Sequence, residues 1–231
     1  MKFAHKLRKL GDPVTYTRAW RRVEQRLDPI PVKPLLEKID QARLHEIQER
    51  YAASSEHYAK YLNSFETFFK RNVRRVQYLN LHRSQPSGLL DLGCGPGFFL
   101  FVAKQFGHRC LGLDTDDDAI FSELMQLFDL PRVIWRIKAF EPLPDLENSF
   151  DWITAFSTAF QGAREDAWRW GAAEWKFFLD DLERRLKPGG RIFFGLNPSY
   201  DGKYYTPEIL DLFLRRGARV ERENVLFPPK R

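Results

Sequence analysis

The chain has 231 residues, of which 43% are hydrophobic, with a net charge of +6 and two cysteines. That apolar share is enough for a packed core and excludes global disorder. No run of about 18 apolar residues is present to span a membrane, and two cysteines are too few for a disulfide framework.

The charge is concentrated at the start. Residues 1–33 hold nine Lys/Arg against the three acids Asp12, Glu24 and Asp28, which accounts for the whole net charge. Such a basic arm suits an anionic partner such as nucleic acid or an acidic surface, or is simply a solvated terminus. The N-terminus has no apolar signal core, and its acids argue against a transit peptide, so the expected location is cytoplasmic. Pro29, Pro31 and Pro34 then break the chain.

From Leu35 to Leu62, apolar residues recur at three- and four-residue steps, which predicts a helix interrupted near Ser54–Ser55. Asn63, three residues before Glu66, is a candidate cap for a second amphipathic helix through Val76, whose polar face carries Lys70, Arg71, Arg74 and Arg75. Beyond "SQPSG" at 84–88 the pattern changes to alternating strands and helices. "GLLDL", "RCLGLD", "RVIWRI", "FDWITAF" and "RIFFGL" read as strands, with helices between them. "PEILDLFLRRG" reads as a further helix and "ARVERENVLF" as one last strand. This alternation predicts an α/β fold: a mostly parallel sheet of about six strands, covered by helices on both faces, with ligands at the carboxyl ends of the strands. The expected organisation is a basic arm over 1–33, a helical cap over 34–84 and a cofactor-binding domain over 85–231.

The stretch "LLDLGCGPGFF" at 89–99 carries the chemistry. Gly97 is followed by Phe98 and Phe99 rather than Lys-Ser or Lys-Thr, so it is not a phosphate loop. Phe98 also stands where a dinucleotide fingerprint has its third glycine. Asp91 at the end of the first strand would repel a pyrophosphate but suits a ligand with an ammonium group.

"LLDLGCGPG" resembles the first motif of the class I, Rossmann-like S-adenosylmethionine-dependent methyltransferases. "LGLD", ending at Asp114, is similar to the family's second motif. "PLP…NSFDWITAF" resembles its third and fourth strand region, and "LERRLKPGGRIFF" its turn into strand five. The resemblance spans about residues 86–227. It implies a three-layer α/β/α fold and an enzyme that uses S-adenosyl-L-methionine and releases S-adenosyl-L-homocysteine. Asp91 would hold the ammonium, and Gly93, Cys94 and Gly95 would form the cofactor turn. Asp114 would meet the ribose, while Thr115 and Phe156 would line the cofactor site. The N–H groups opening the following helix suit the cofactor's carboxylate.

Many relatives carry an acid after strand three that bonds the adenine. Ala139 and Phe140 stand in the matching stretch here, with Phe140 expected on the adenine ring and Glu141 as its alternate. The chain end is short, so the family's usual last strand is expected to be missing.

For the acceptor, Ser157, Thr158 and Gln161 follow strand four, and Asn197 and Tyr200 in "LNPSY" follow strand five. Trp168, Trp170 and Trp175 are either pocket walls or packing. Tyr58, with His57 and Tyr61, would reach the site if the N-terminal helix covers it. His82 and His108 precede strands and so lie at the opposite end. No catalytic base and no metal-ligand cluster stand out. Methyl transfer needs little beyond alignment, so no base is demanded. A small-molecule acceptor is the favoured expectation. An RNA or protein acceptor engaged by the basic arm, and a binding module without turnover, are the alternatives.

Overall fold

The structure, a computed structural model, describes residues 27–52, 59–146, 149–158, 169–199 and 201–231. Most of the basic arm (1–26), the expected break at Ser54–Ser55, and His57, Tyr58, Gln161, Trp168 and Tyr200 lie outside the described residues.

Four helices precede the sheet: α1 (Val32–Leu36), α2 (Gln41–Arg50), α3 (Lys60–Asn63) and α4 (Phe65–Tyr78). The helix expected from Leu35 already stops at Leu36, because the Asp40 carboxylate accepts from Arg43 N at 3.0 Å and starts α2 there. Asn63 is not the cap of α4. It ends α3, and Ser64 takes the cap position without a side-chain bond. Phe65, Phe69, Val73 and Val76 of α4 are buried, as their three- and four-residue spacing requires.

The sheet strands are β1 (Gly88–Leu92), β2 (Arg109–Asp114), β3 (Arg132–Ile134), β4 (Phe150–Phe156), β5 (Leu186–Gly195), β6 (Arg219–Glu221) and β7 (Asn224–Leu226), in the order β3-β2-β1-β4-β5-β7-β6. Helices α5 (Phe98–Lys104), α6 (Ala119–Leu127), α7 (Ala172–Arg184) and α8 (Pro207–Arg215) fill the connections. β1 to β5 run parallel, while β7 pairs antiparallel with both β5 and β6.

The sheet therefore has seven strands, and the expectation of six with the last one missing is corrected. "ARVERENVLF" is a hairpin rather than a single strand. Arg222 takes a left-handed φ of 56° in a two-residue turn, so two three-residue strands fit. The turn is Arg-Glu, without the Asn-Gly or Asp-Gly that would have signalled it.

Strand alternation divides the core. Leu89 and Phe193 face one side, where they share a cluster with α1, α2, α4, α5 and α6. Leu90 and Phe194 face the other, with α7, α8 and the hairpin. The N-terminal helices are thus part of one layer of the sandwich, and α4 lies over the carboxyl ends of β1 and β4.

Candidate functional site

β1, β2 and β4 end side by side: Asp91 is in register with Gly112 of β2 and Thr154 of β4. The chain after β1 turns back through Gly93, Gly95 and Gly97, all at positive φ. A Cβ on Gly93 would lie 2.4 Å from Thr158 Cγ2, so both the backbone conformation and the space there require glycine. The turn is tied to β2. Gly93 N and Cys94 N donate to Leu113 O at 2.7 and 3.3 Å, and Gly95 N donates to Asp114 Oδ2 at 2.6 Å. Thr115 N donates to the other oxygen of Asp114 at 2.8 Å.

Over these strand ends opens a cleft of about 470 Å³. Of the residues expected at a site, it brings together Asp91, Gly93, Cys94, Gly95, Asp114, Thr115, Phe156, Ser157 and Thr158. It does not bring in Ala139 or Phe140. Phe140 is 55% exposed and meets Phe177 edge-on at 5.9 Å, while Ala139 packs against the core on the other face. β3 ends at Ile134, sooner than expected, so Trp135, Arg136 and Ile137 reach the cleft in their place. Glu141 pairs with Lys138 at 3.2 Å. Asn197 is not a lining residue, but its Nδ2 donates to Ser157 O at 2.7 Å. Trp170 and Trp175 are core residues packed edge to face. His108 is buried at the opposite end of the sheet, with Nε2 at 2.8 Å from Leu81 O. Both thiols are free. Burial pushes the Cys94 thiol well above its usual range, which keeps it protonated and unsuited as a nucleophile.

The charges in the cleft are held in high-energy states. Asp91 is 3% exposed, and burial pushes its carboxyl up to about 7; the hydrogen bond from Thr154 Oγ1 at 2.6 Å and the Arg75 charge only partly counter this. Asp114 is raised for the same reason, against the two backbone N–H groups it accepts. Ser157 sits at φ 56°, held from three sides: its N donates to Gly195 O at 2.7 Å, its Oγ accepts from Arg75 and its carbonyl from Asn197. A non-glycine residue there costs about 1–3 kcal/mol, tolerated only where the surroundings fix it. Two buried polar atoms of lining residues, Thr158 Oγ1 and Trp135 Nε1, lack a hydrogen-bond partner.

Several lining residues were not expected from the sequence: Trp135 and Ile137 beyond β3, Phe121 on α6, and the α4 residues Phe68, Arg71, Asn72 and Arg75; nor was the support that buried Thr154 gives Asp91 from behind the cleft. Their signal was the cleft-facing stripe of α4 itself, which a charge run on a helix conceals. Among the described residues no His/Cys/Asp/Glu group is arranged to hold a metal ion, and no helix is long and apolar enough to cross a membrane.

Residues 90–194 match the family model described as "Methyltransferase domain". No curated protein matches. Among solved structures, the glycopeptide N-methyltransferase MtfA is similar at 18% identity and a TM-score of 0.41, over 55% of this chain and 54% of that one. Streptomyces venezuelae DesVI is similar at 14% identity and 0.48, over 83% of this chain and 99% of that one. An O-methyltransferase family protein from Burkholderia thailandensis is similar at 16% identity and 0.47, over 82% and 67%. The chain thus spans about half the length of MtfA.

Proposed function

We propose that the chain is a class I S-adenosylmethionine-dependent methyltransferase, a reading supported by the methyltransferase-domain match over residues 90–194, and that it methylates a small-molecule acceptor at the cleft over β1, β2 and β4. The observation that carries this reading is a pair of acids, buried Asp91 and half-buried Asp114, beside a glycine turn with no room for a side chain at Gly93 or Gly97.

The chemistry of these residues fits the donor. An ammonium group at Asp91 supplies the opposite charge that its burial lacks, returning the carboxyl to its ionised form. Asp114 spends one lone pair of each oxygen on Gly95 and Thr115, which fixes its plane and leaves two for vicinal hydroxyls. Trp135 and Ile137 offer an apolar wall and a free indole N–H to a heterocycle, the role expected of Phe140. The donor, when bound, supplies a methyl group already activated by its sulfonium. The remaining task is alignment: Ser157 and Thr158 at the end of β4 face the acceptor side, and Asn197 fixes Ser157. Phe68 and Tyr61 wall the cleft from above and exclude water.

A cleft of about 470 Å³ is within the ~300–1,000 Å³ range of small-ligand sites. Calorimetric titration with S-adenosylhomocysteine, followed by incubation with labelled S-adenosylmethionine and a fractionated extract, tests both halves. Label in a small product supports the reading. Label only in RNA or protein, lost as salt rises, transfers the reading to a macromolecular acceptor.

A further inference from the structure

Among the described residues, the charged side chains lining the cleft are Arg71, Arg75, Arg136, Asp91, Asp114 and Asp117. Arg136 is paired with Asp117. Asp91 and Asp114 face the donor's ammonium and ribose in the reading above. Arg71 and Arg75, one turn apart on α4, are left over: among the described residues neither has a carboxylate within salt-bridge distance.

Neutral neighbours hold both in place. Arg75 Nη1 donates to Asn72 Oδ1 and Nη2 to Ser157 Oγ, both at 2.9 Å, with the guanidinium 4.5 Å from the centre of the Phe156 ring. The Arg71 guanidinium lies 5.0 Å from the centre of the Phe68 ring. An amide, a hydroxyl and two rings orient the guanidiniums without neutralising them, and donors stay open on each. Burial and the Arg71 charge both disfavour the Arg75 cation, while Asp91 supports it. An ammonium bound at Asp91 takes that support away.

Charge balance decides what completes the cleft. Arg136 and Asp117 cancel, and the two arginines balance Asp91 and Asp114. With the donor's ammonium, sulfonium and carboxylate added, one positive charge stands in excess. That surplus is the same whichever arginine or N–H group meets the donor's carboxylate. Between apolar walls an uncompensated charge is costly, and a single negative charge on the acceptor removes the cost. A carboxylate supplies one such charge, whereas a phosphate monoester brings close to two. The place also fits the acceptor, because Phe156 ends β4 and Ser157 follows it on the acceptor side.

We propose that Arg71 and Arg75 form a carboxylate site for the methyl acceptor, so that the molecule methylated here is a small carboxylic acid. This rests on the function proposed above and deepens it by naming the acceptor's class. The rings beside the two guanidiniums give the acid's hydrocarbon body an apolar wall. Both arginines lie outside residues 90–194, so acceptor choice belongs to α4 and not to the segment that matches the family model.

The test uses the full chain, labelled S-adenosylmethionine and a small-molecule extract split on an anion exchanger at neutral pH. Retained fractions should accept at least tenfold more label than the flow-through, and phosphatase treatment should leave this unchanged. With the most active fraction, Arg71→Gln and Arg75→Gln should each raise the apparent KM for acceptor at least fivefold. Calorimetry should keep their S-adenosylhomocysteine affinities within threefold of wild type. Arg75→Lys, which keeps the charge, should recover part of the loss, and the exposed Arg71 carries the test if Arg75→Gln does not fold. The proposal is overturned, with the donor reading left standing, by acceptors confined to the flow-through or destroyed by phosphatase. An unchanged acceptor KM in the folded variants, or an S-adenosylhomocysteine affinity that falls as much as the KM rises, overturns it equally. Failure of wild type to bind S-adenosylhomocysteine, or label in no small molecule, overturns the proposed function itself and this inference with it.

Discussion

The two ends of the parallel sheet treat their charges in opposite ways. At the amino end, Asp151 accepts from Lys187 Nζ at 2.8 Å and from Gly88 N at 2.7 Å, and these partners hold its carboxyl below the usual range despite partial burial. His108 is buried there, with Nδ1 at 2.8 Å from Ser87 Oγ and Nε2 against Leu81 O. At the carboxyl end, Asp91 and Asp114 are both raised, Arg75 is brought down to about 10 chiefly by burial, and Ser157 is held at a left-handed φ. At the amino end, Asp151 and His108 are satisfied by their own neighbours. The other end keeps donors, acceptors and charges that only a ligand completes, and that difference is what marks it as the working end.

The comparison breaks most sharply at Gly93. Gly93→Ala forces a Cβ against Thr158 at φ +65°, and should lower S-adenosylhomocysteine affinity by about a hundredfold and stability by ~2 kcal/mol, read by calorimetry and thermal melting. Asp114→Ala comes next, with affinity down by about ten- to a hundredfold as charge-assisted bonds are lost.

Asp91→Asn should separate function from stability. Affinity falls by about tenfold or more, yet at pH 8 the variant should melt higher, by about 1–3 kcal/mol of stability, because no carboxylate is left to ionise in the core. The sign follows from linkage. The Asp91 carboxyl titrates at about 7 in the fold, against about 3.9 unfolded, so the native state holds the extra proton and folding grows costlier as pH rises from about 4 to 7. Ligand affinity runs the other way, rising with pH through about 7 as Asp91 ionises. A pH-independent affinity between 5.5 and 8 would remove Asp91 from the ammonium site.

The smallest effect belongs to the satisfied end. Asp151→Ala should cost about 0.5–1 kcal/mol of stability and leave S-adenosylhomocysteine affinity unchanged, since this pair is partly exposed. Its contribution is present above the unfolded pKa of about 3.9 and fades as pH falls through the lower folded value. A loss of affinity in this variant would mean that the two ends are coupled through β4.

Much of this was legible in the residues. "GLLDL" forms β1 at its expected bounds because a continuous apolar run followed by glycines can end only one way. Asp91, Gly93, Gly95 and Asp114 converge because the parallel register of β1 with β2 carries both acids to one end. Ala139 and Phe140 fall outside the cleft because β3 stops at Ile134 once Trp135 N has paired with Asp114 O, a boundary set by its neighbour strand and not by its own composition. The C-terminal hairpin was missed because Arg222 adopts positive φ without the turn residues that announce it.

Arg75 shows where sequence reading stops. On α4 it sits within a basic run with Lys70, Arg71 and Arg74, indistinguishable from a solvated face. The sequence by itself determined the chain's alternating architecture, the glycine turn and the acids that flank it, because backbone conformation and strand-end position are local properties. Only the tertiary structure decided which of four cations on one helix stands over β4 and faces Asp91, because that depends on how α4 docks across strands more than seventy residues away.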